Sequence, residues 1–339
     1  MTFERPPKVS VEQWDQASAL ATGPGGWVAV GSNSDVMGYV GRIWQSSDSL
    51  SWKLVNSDLL AGLELVGLAA TPDSYVAVGT KSANPNEPTA SILFSSDGVT
   101  WTEQASIPGA WASRVTSGSQ GFAVVIQVGE TTDLLFSPDG RTWNRVAGAD
   151  VSSGAWIADV ARDGAGWIAV GSAGDRAVVL RSADAKSWQE DRLPASEPVE
   201  GIIDVNAYRV IAGRWAILVL GLDRGPSCAE DDDWCDKYQA AWSWTAETAW
   251  VRLPRSTWIL GRGFGIDVHT AGDAGFVYML GDEVRTSADG WQWDPVKQTS
   301  ASNAFTSSVA VSGDRVVGVG TPAGGDDLVG WFGSALIRP

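Results

Sequence analysis

SSDGVTW at 95–101 is a turn that the chain writes five times: SSDSLSW at 46–52, SSDGVTW, SPDGRTW at 137–143, SADAKSW at 182–188 and SADGWQW at 287–293. A sixth, degraded copy is TAETAW at 245–250, with Glu247 in place of the aspartate and one residue fewer. In this pattern the aspartate (Asp48, Asp97, Asp139, Asp184, Asp289) accepts backbone N–H groups across the turn. Gly98, Gly140 and Gly290 can supply a positive φ, and the tryptophan folds beneath the turn onto its own sheet. The pattern therefore reads as a structural staple rather than as a ligand site. Upstream of each copy lies a short apolar run after a Gly/Asp-rich turn: WVAVG at 27, YVAVG at 75, FAVVI at 122, WIAVG at 167, WAILV at 215, FVYML at 276 and VVGVG at 316.

The runs are 48, 47, 45, 48, 61 and 40 residues apart. A period in the forties with several short strands per unit is the mark of propeller blades. Residues 64–104 give the unit: ELVGLAA as inner strand, YVAVG as a buried second strand, SILFS as third and TWTEQ as outer fourth. The expected fold is all-β, a seven-bladed β-propeller of four-stranded antiparallel sheets forming one domain over 1–339, with helix nearly absent. GWFGSALIRP at 330–339 matches GYVGRIWQSS at 38–47, a third strand, while Thr2–Arg5 resembles the fourth strand at Thr142–Arg145. The chain ends are thus expected to pair, with Thr2–Arg5 as outer strand beside Leu336, leaving no free edge.

Composition agrees. A chain of 339 residues exceeds the usual single-core limit, but a radial repeat divides its core among blades. The 39 glycines serve tight turns and the 19 tryptophans fill space between sheets. A net charge of −16 disfavours nucleic acid and anionic lipid surfaces. No apolar stretch approaches the roughly 20 residues of a membrane span, and no signal segment is recognisable.

The repeated Ser-x-Asp-x-(Gly)-x-x-Trp at the third-to-fourth strand turn resembles the Asp-box (BNR-repeat) propellers, a group that includes sialidases, sortilin-type receptors and photosystem II assembly propellers. The resemblance implies the fold and covers nearly the whole chain; it implies no single function, because the box recurs in enzymes, receptors and assembly factors. The sialidase pattern of three arginines, a Tyr/Glu nucleophile pair and an Arg-Ile-Pro signature does not carry over. Arg42-Ile43-Trp44 and Arg338-Pro339 are poor substitutes for that signature. Of the five tyrosines, Tyr75 occupies the ring position of a second strand and Tyr39 aligns with Trp331 on a third strand, so both read as packed. No catalytic residue is assigned.

Loops joining strands two and three share a face with the blade-to-blade linkers, and the insertions at 81–90 and 223–240 fall there. Long loops mark that face as the binding surface. Counting eleven residues back from each second strand gives the channel mouth on that face: Gln16, Glu64, Trp111, Trp156, Asp204, Gly265 and Phe305. Aromatics mixed with carboxylates can stack on a sugar or cage a cation. The competing and preferred reading makes Trp111 and Trp156 inter-blade wedges and the acids solvated. Arg114 and Asp159 lie at one further equivalent position and are candidates to face the channel.

Cys228 and Cys235 are the only cysteines. Set seven apart in a polar loop, they read as a small disulfide, which implies an oxidising compartment and export. Glu230, Asp231, Asp232, Asp233 and Asp236 crowd the same hairpin but match no calcium loop and read as a solvated acidic tip. The sole histidine, His269, falls in an inner strand. No metal or cofactor is expected. The expected function is that of a monomeric, exported, non-catalytic propeller that binds a protein, a glycan or a cell-envelope component. The alternative is a glycoside-acting enzyme using Glu64 or Asp204.

Overall fold

The computed structural model describes residues 3–4, 15–35, 38–82, 87–147, 154–164, 166–194, 204–225, 237–257, 269–272, 275–280, 283–295, 304–312, 315–322 and 329–334. Those residues form four-stranded antiparallel sheets of propeller type. The second sheet is representative: Leu63–Thr71 innermost, then Ser74–Lys81, Thr89–Ser95 and Thr102–Pro108 outermost. Its second strand is buried along nearly its whole length, as the valine-rich run requires, and its outer strand has no buried residue. The other sheets start from the inner strands Asp15–Gly23, Ala110–Gly118, Ala155–Asp163, Asp204–Ala212, His269–Gly272 and Ala304–Ser312. Each inner strand touches those of both neighbouring sheets in a closed circuit, so the inner strands line a central channel. The one helical element among the described residues is the single turn Asp58–Leu60, capped by Ser57.

The expectation of seven equivalent blades needs correction at the level of the core. Among the described residues seven sheets are present, but the apolar core falls into six clusters, and each lies between two sheets rather than inside one. Val28 and Ile43 of the first sheet pack with Leu65, Tyr75 and Leu93 of the second. Trp27, Trp44 and Trp52 of the first sheet meet Ala310, Val317 and Val319 of the last. Among the described residues no such cluster joins the sixth sheet (inner strand His269–Gly272) to the seventh (inner strand Ala304–Ser312). A four-stranded sheet has two faces and no interior, so its apolar side chains can be buried only by the adjoining sheet.

Closure follows the expected pairing of the chain's first and last strands, with a different register. The last sheet is completed by Phe3–Glu4, with Phe3 paired to Gly333 and Glu4 to Phe332, so the register lies three residues before the expected Leu336, which is outside the described residues. Tyr75 is fully buried as expected, but Tyr39 is 38% exposed and is not a packed residue. Tyr75 also ties two sheets together. Its hydroxyl accepts from the Gly25 N–H (3.0 Å) and donates to the Gly26 carbonyl (2.7 Å) of the first sheet's hairpin, and burial pushes its pKa up to about 12.

The recurrent turn is built as the sequence implies, with one difference in where its weight falls. Asp97 Oδ1 accepts from Val99 N–H (2.8 Å), Thr100 N–H (2.7 Å) and the Ser95 hydroxyl (3.0 Å). Asp48, Asp139, Asp184 and Asp289 repeat the pattern. The residue before the last x-x-Trp takes a positive φ whatever its identity, including Ser49 (64°) and Ala185 (61°). The aspartates are exposed, whereas the serines Ser46, Ser95, Ser137, Ser182 and Ser287 are buried. Ser95 Oγ accepts the buried Gly98 N–H at 2.8 Å, and Ser137 and Ser287 do the same for Gly140 and Gly290.

The cost of breaking the turn therefore sits in the serine. Ser95→Ala strips a buried amide of its partner and should lower stability by about 1–3 kcal/mol, while Asp97→Ala frees exposed amides for water and should cost about 0.5–1.5 kcal/mol. Chemical denaturation of the two variants checks the order; an aspartate variant the weaker of the two would reverse the assignment.

The aspartates also set an acid limit. Backbone amides (Ser51, Thr142 and Ser187, respectively, the strongest) hold Asp48, Asp139 and Asp184 below the usual carboxylate range; for Asp97, burial works upward but the amides of Thr100 and Val99 outweigh it. Each folded-state pKa is lowered, so the stabilisation is complete above the unfolded value of about 3.9 and is lost as pH falls through the folded values. Melting temperature measured against pH should fall below about pH 4 on this account, and less steeply in a variant with Asp48, Asp139 and Asp184 all replaced by Asn.

Candidate binding site at the channel

The inner strands carry a β-bulge at a matching place in every sheet where the strand is described at that level. It falls between Ala17 and Ala19, Leu65 and Gly67, Ala112 and Arg114, Ile157 and Asp159, Ala207 and Arg209, and Thr306 and Ser308. These bulges fix which residues are equivalent. Gln16, Glu64, Trp111, Trp156 and Phe305 all stand one residue before the bulge pair, at the loop-bearing end of their strands. In the fifth sheet that place belongs to Asn206, and Asp204 lies two residues earlier, paired with Arg224. Asp204 is therefore removed from the ring and Asn206 enters it. Gly265 lies outside the described residues; for Phe305 and Asp204 the backbone alone is described.

In sequence Trp215 matches Trp27, but it sits in the hairpin before the strand, 67% exposed, and the strand begins at Ala216. The glycine four residues into the apolar run in most of the second strands is the better mark. A Cβ on Gly31, Gly79, Gly171 or Gly221 would lie 1.8, 2.3, 1.8 or 2.1 Å from the carbonyl oxygen of Gln16, Glu64, Trp156 or Asn206. In these four sheets the bulged inner strand presses its carbonyl against that position, which leaves no room for a side chain; the third sheet carries Ile126 there.

At the mouth, Trp111 and Trp156 are half-buried and belong to none of the inter-sheet clusters, although Trp143 and Trp188 do. Gln16 is exposed. Glu64 is half-buried, and desolvation raises its pKa above the usual glutamate value. With Asn206 in place of Asp204, Glu64 is the one carboxylate at this level among the described positions.

Arg114 and Asp159 occupy the place just after the bulge, and the fifth sheet's counterpart is Arg209, which the sequence reading did not single out. The three stand on consecutive inner strands and line a cavity of about 360 Å³ that also takes in Arg162. Asp159 is 5% exposed: Oδ1 accepts the Val160 N–H (2.9 Å), Oδ2 accepts the Val210 N–H of the next sheet (3.0 Å), and Arg209 Nε lies 3.6 Å from Oδ2. The carboxylate is thus occupied in joining two sheets. Its chemistry is repeated by Ser308, which accepts the Leu20 N–H of the first sheet at 3.1 Å.

Cys228, Cys235, Glu230, Asp231, Asp232, Asp233 and Asp236 lie outside the described residues.

No protein-family model matches the chain, and no curated protein does. Solved structures do. YCF48 bound to a D1 peptide aligns over 97% of this chain and 96% of its own, with a TM-score of 0.57 and 11% identity. The β-propeller domain of the trilobed protease from Pyrococcus furiosus, described as having an open velcro topology, aligns over 95% and 94% with a TM-score of 0.57 and 10% identity. The acylaminoacyl peptidase of Pyrococcus horikoshii reaches a TM-score of 0.60 at 7% identity, over 95% of this chain and 52% of that one. At such identities the likeness bears on the fold alone, and the fold is that of a β-propeller.

Asp159→Ala should cost about 2–4 kcal/mol, the effect of two buried amides losing a charged acceptor, whereas Asp159→Asn, which keeps one acceptor oxygen, should cost less than half as much. Thermal denaturation of the pair checks it. Equal losses would mean that Asp159 acts by its charge toward Arg209 rather than by capturing amides.

Proposed function

We propose that this chain is a non-catalytic, exported propeller that binds a segment of another macromolecule, a protein stretch or a glycan, on its loop-bearing face. The observation that carries the reading is the pair Trp111 and Trp156, on adjacent inner strands at the channel mouth and outside every packed cluster. Indoles left half-open at the rim of a rigid channel offer flat apolar area whose side-chain order is already set, which is what a binding hot spot needs. YCF48, a propeller of similar fold, holds a peptide, which supports a peptide as one occupant. Export rests on the Cys228–Cys235 spacing, and non-reducing mass spectrometry tests it: two free thiols in freshly isolated protein would remove that part.

The glycoside-acting alternative has one observation in its favour, the upward shift of Glu64 by burial, the direction wanted in a general acid. It needs a second carboxylate within about 5–10 Å across the cleft. Asp159, two sheets away, is committed to backbone amides and Arg209.

The test runs peptide and glycan arrays against the wild type, Trp111→Ala and Trp156→Ala. A ligand found on the wild type should bind at least about thirtyfold more weakly to either variant, the scale of a hot-spot loss. Melting temperatures should hardly move, because neither ring is part of a core cluster. Turnover of a glycoside panel that disappears in Glu64→Gln would favour the enzyme instead. Ligand binding that survives loss of both indoles would end the proposed reading.

A further inference from the structure

Between the fourth and fifth sheets, on the loop-bearing side, lies a second cavity of about 480 Å³. It opens beside the hairpin tip Asp175–Arg176, which joins the second and third strands of the fourth sheet. Arg176, Arg192 and Arg252 line it against the carboxylates of Asp175 and Glu190, and Trp242, Leu193 and Pro194 give it an apolar wall. The lining is thus locally cationic in a chain of net charge −16.

The guanidiniums are unequal. Arg176 forms a two-pronged ion pair with Glu190, and both are substantially exposed. Arg192 is exposed and makes no ion pair among the described residues. Arg252 is fixed. Its side chain is 12% exposed, its guanidinium lies 4.4 Å above the Trp242 ring, and Nη2 donates to the fully buried Asp223 at 2.6 Å. Trp242 is itself held by its indole N–H, which donates to the Pro194 carbonyl at 3.0 Å. Arg252 Nη1 and Asp223 Oδ1 are both buried without a hydrogen-bond partner among the described residues.

An immobilised guanidinium beside an apolar wall, with Arg192 as a second arginine that has no ion pair among the described residues, is an arrangement that receives an oxyanion. Arg255, 39% exposed, shares Asp223 and stacks on Tyr238 at 4.4 Å, so Asp223 already has a second cation and Arg252 does not supply its whole neutralisation.

We propose that this cleft is a seat for a small organic oxyanion, a carboxylate or phosphate carrying an apolar group. The oxyanion lies between the Arg252 guanidinium and Arg192, while the apolar group lies against Leu193 and Pro194. The proposal deepens the reading of the loop-bearing face as the binding surface and takes its setting from it, but it concerns residues apart from Trp111 and Trp156.

Calorimetric titration at low ionic strength with benzoate, phenyl phosphate and uncharged benzyl alcohol tests it. Saturable binding of an anion is expected, at least about tenfold tighter than the alcohol, the effect of one charged hydrogen bond. Whichever of benzoate and phenyl phosphate binds more tightly identifies the headgroup. Arg192→Gln should weaken binding several-fold, and Arg252→Gln combined with Asp223→Asn, which avoids stranding a buried carboxylate, should abolish it. If that double variant does not fold, Arg176→Gln and Arg192→Gln together, both at exposed positions, serve in its place and should weaken binding more than either alone. No saturable binding by either anion, affinity equal to that of the alcohol, or affinity unchanged in the arginine variants overturns the seat. The array experiment fails or succeeds separately: a seat with no macromolecular ligand at Trp111 and Trp156 would leave a small-molecule binder.

Discussion

The architecture depends on satisfying backbone amides of the inner strands, each of which is the edge of its sheet on the channel side. An edge strand has no ladder partner on its open side, so its buried N–H groups must be matched elsewhere. In this protein the match comes from the preceding sheet. Thr80 takes the Ala112 N–H, Thr132 the Ile157 N–H, Asp159 the Val210 N–H and Ser308 the Leu20 N–H. The polar staples and the apolar clusters thus lie at the same inter-sheet boundaries. No sheet is complete by itself, either in its hydrophobic burial or in its hydrogen bonding, and neighbour-to-neighbour fit is what specifies the ring.

This division of labour separates the two faces. The recurrent Ser-x-Asp turns sit at the end opposite the long loops and engage the adjoining hairpin. The Gln120 amide donates to Ala183 at 3.2 Å and the Ser243 hydroxyl to Asp289 at 2.6 Å, each reaching into the next sheet's turn. That face is committed to holding sheets together. The loop-bearing face keeps half-open aromatics and an arginine-lined cleft.

The repeat made most of the fold legible, because glycine, serine and aspartate in the turn and alternating strands each answer a local requirement that recurs in every sheet. What stayed hidden was registration in the one sheet that departs from the pattern. Trp215 looked like a core ring and is a surface residue of a longer hairpin, so Asp204 was counted where Asn206 stands; aligning on Gly221 instead of the aromatic would have removed the error. Asp159 could be placed at the channel from spacing, but its capture of the Val210 amide involves a residue 51 positions away, and no local pattern announces it. The Arg252 cleft was invisible for the same reason, since its walls come from two sheets.

The pairing of Phe3 with Gly333 puts the first described strand and the last into one sheet. A ribosome delivers these partners in the opposite order to the one that closure needs. The sheet beginning at Asp15 emerges early with one apolar flank, Trp27, Trp44 and Trp52, awaiting Ala310, Val317 and Val319, which are translated nearly three hundred residues later. At about 5–20 residues per second, that flank stays open for some tens of seconds. The growing chain is therefore an arc with a sticky leading edge, and whatever shields those tryptophans in the interval decides whether the arc meets its own tail or another chain's.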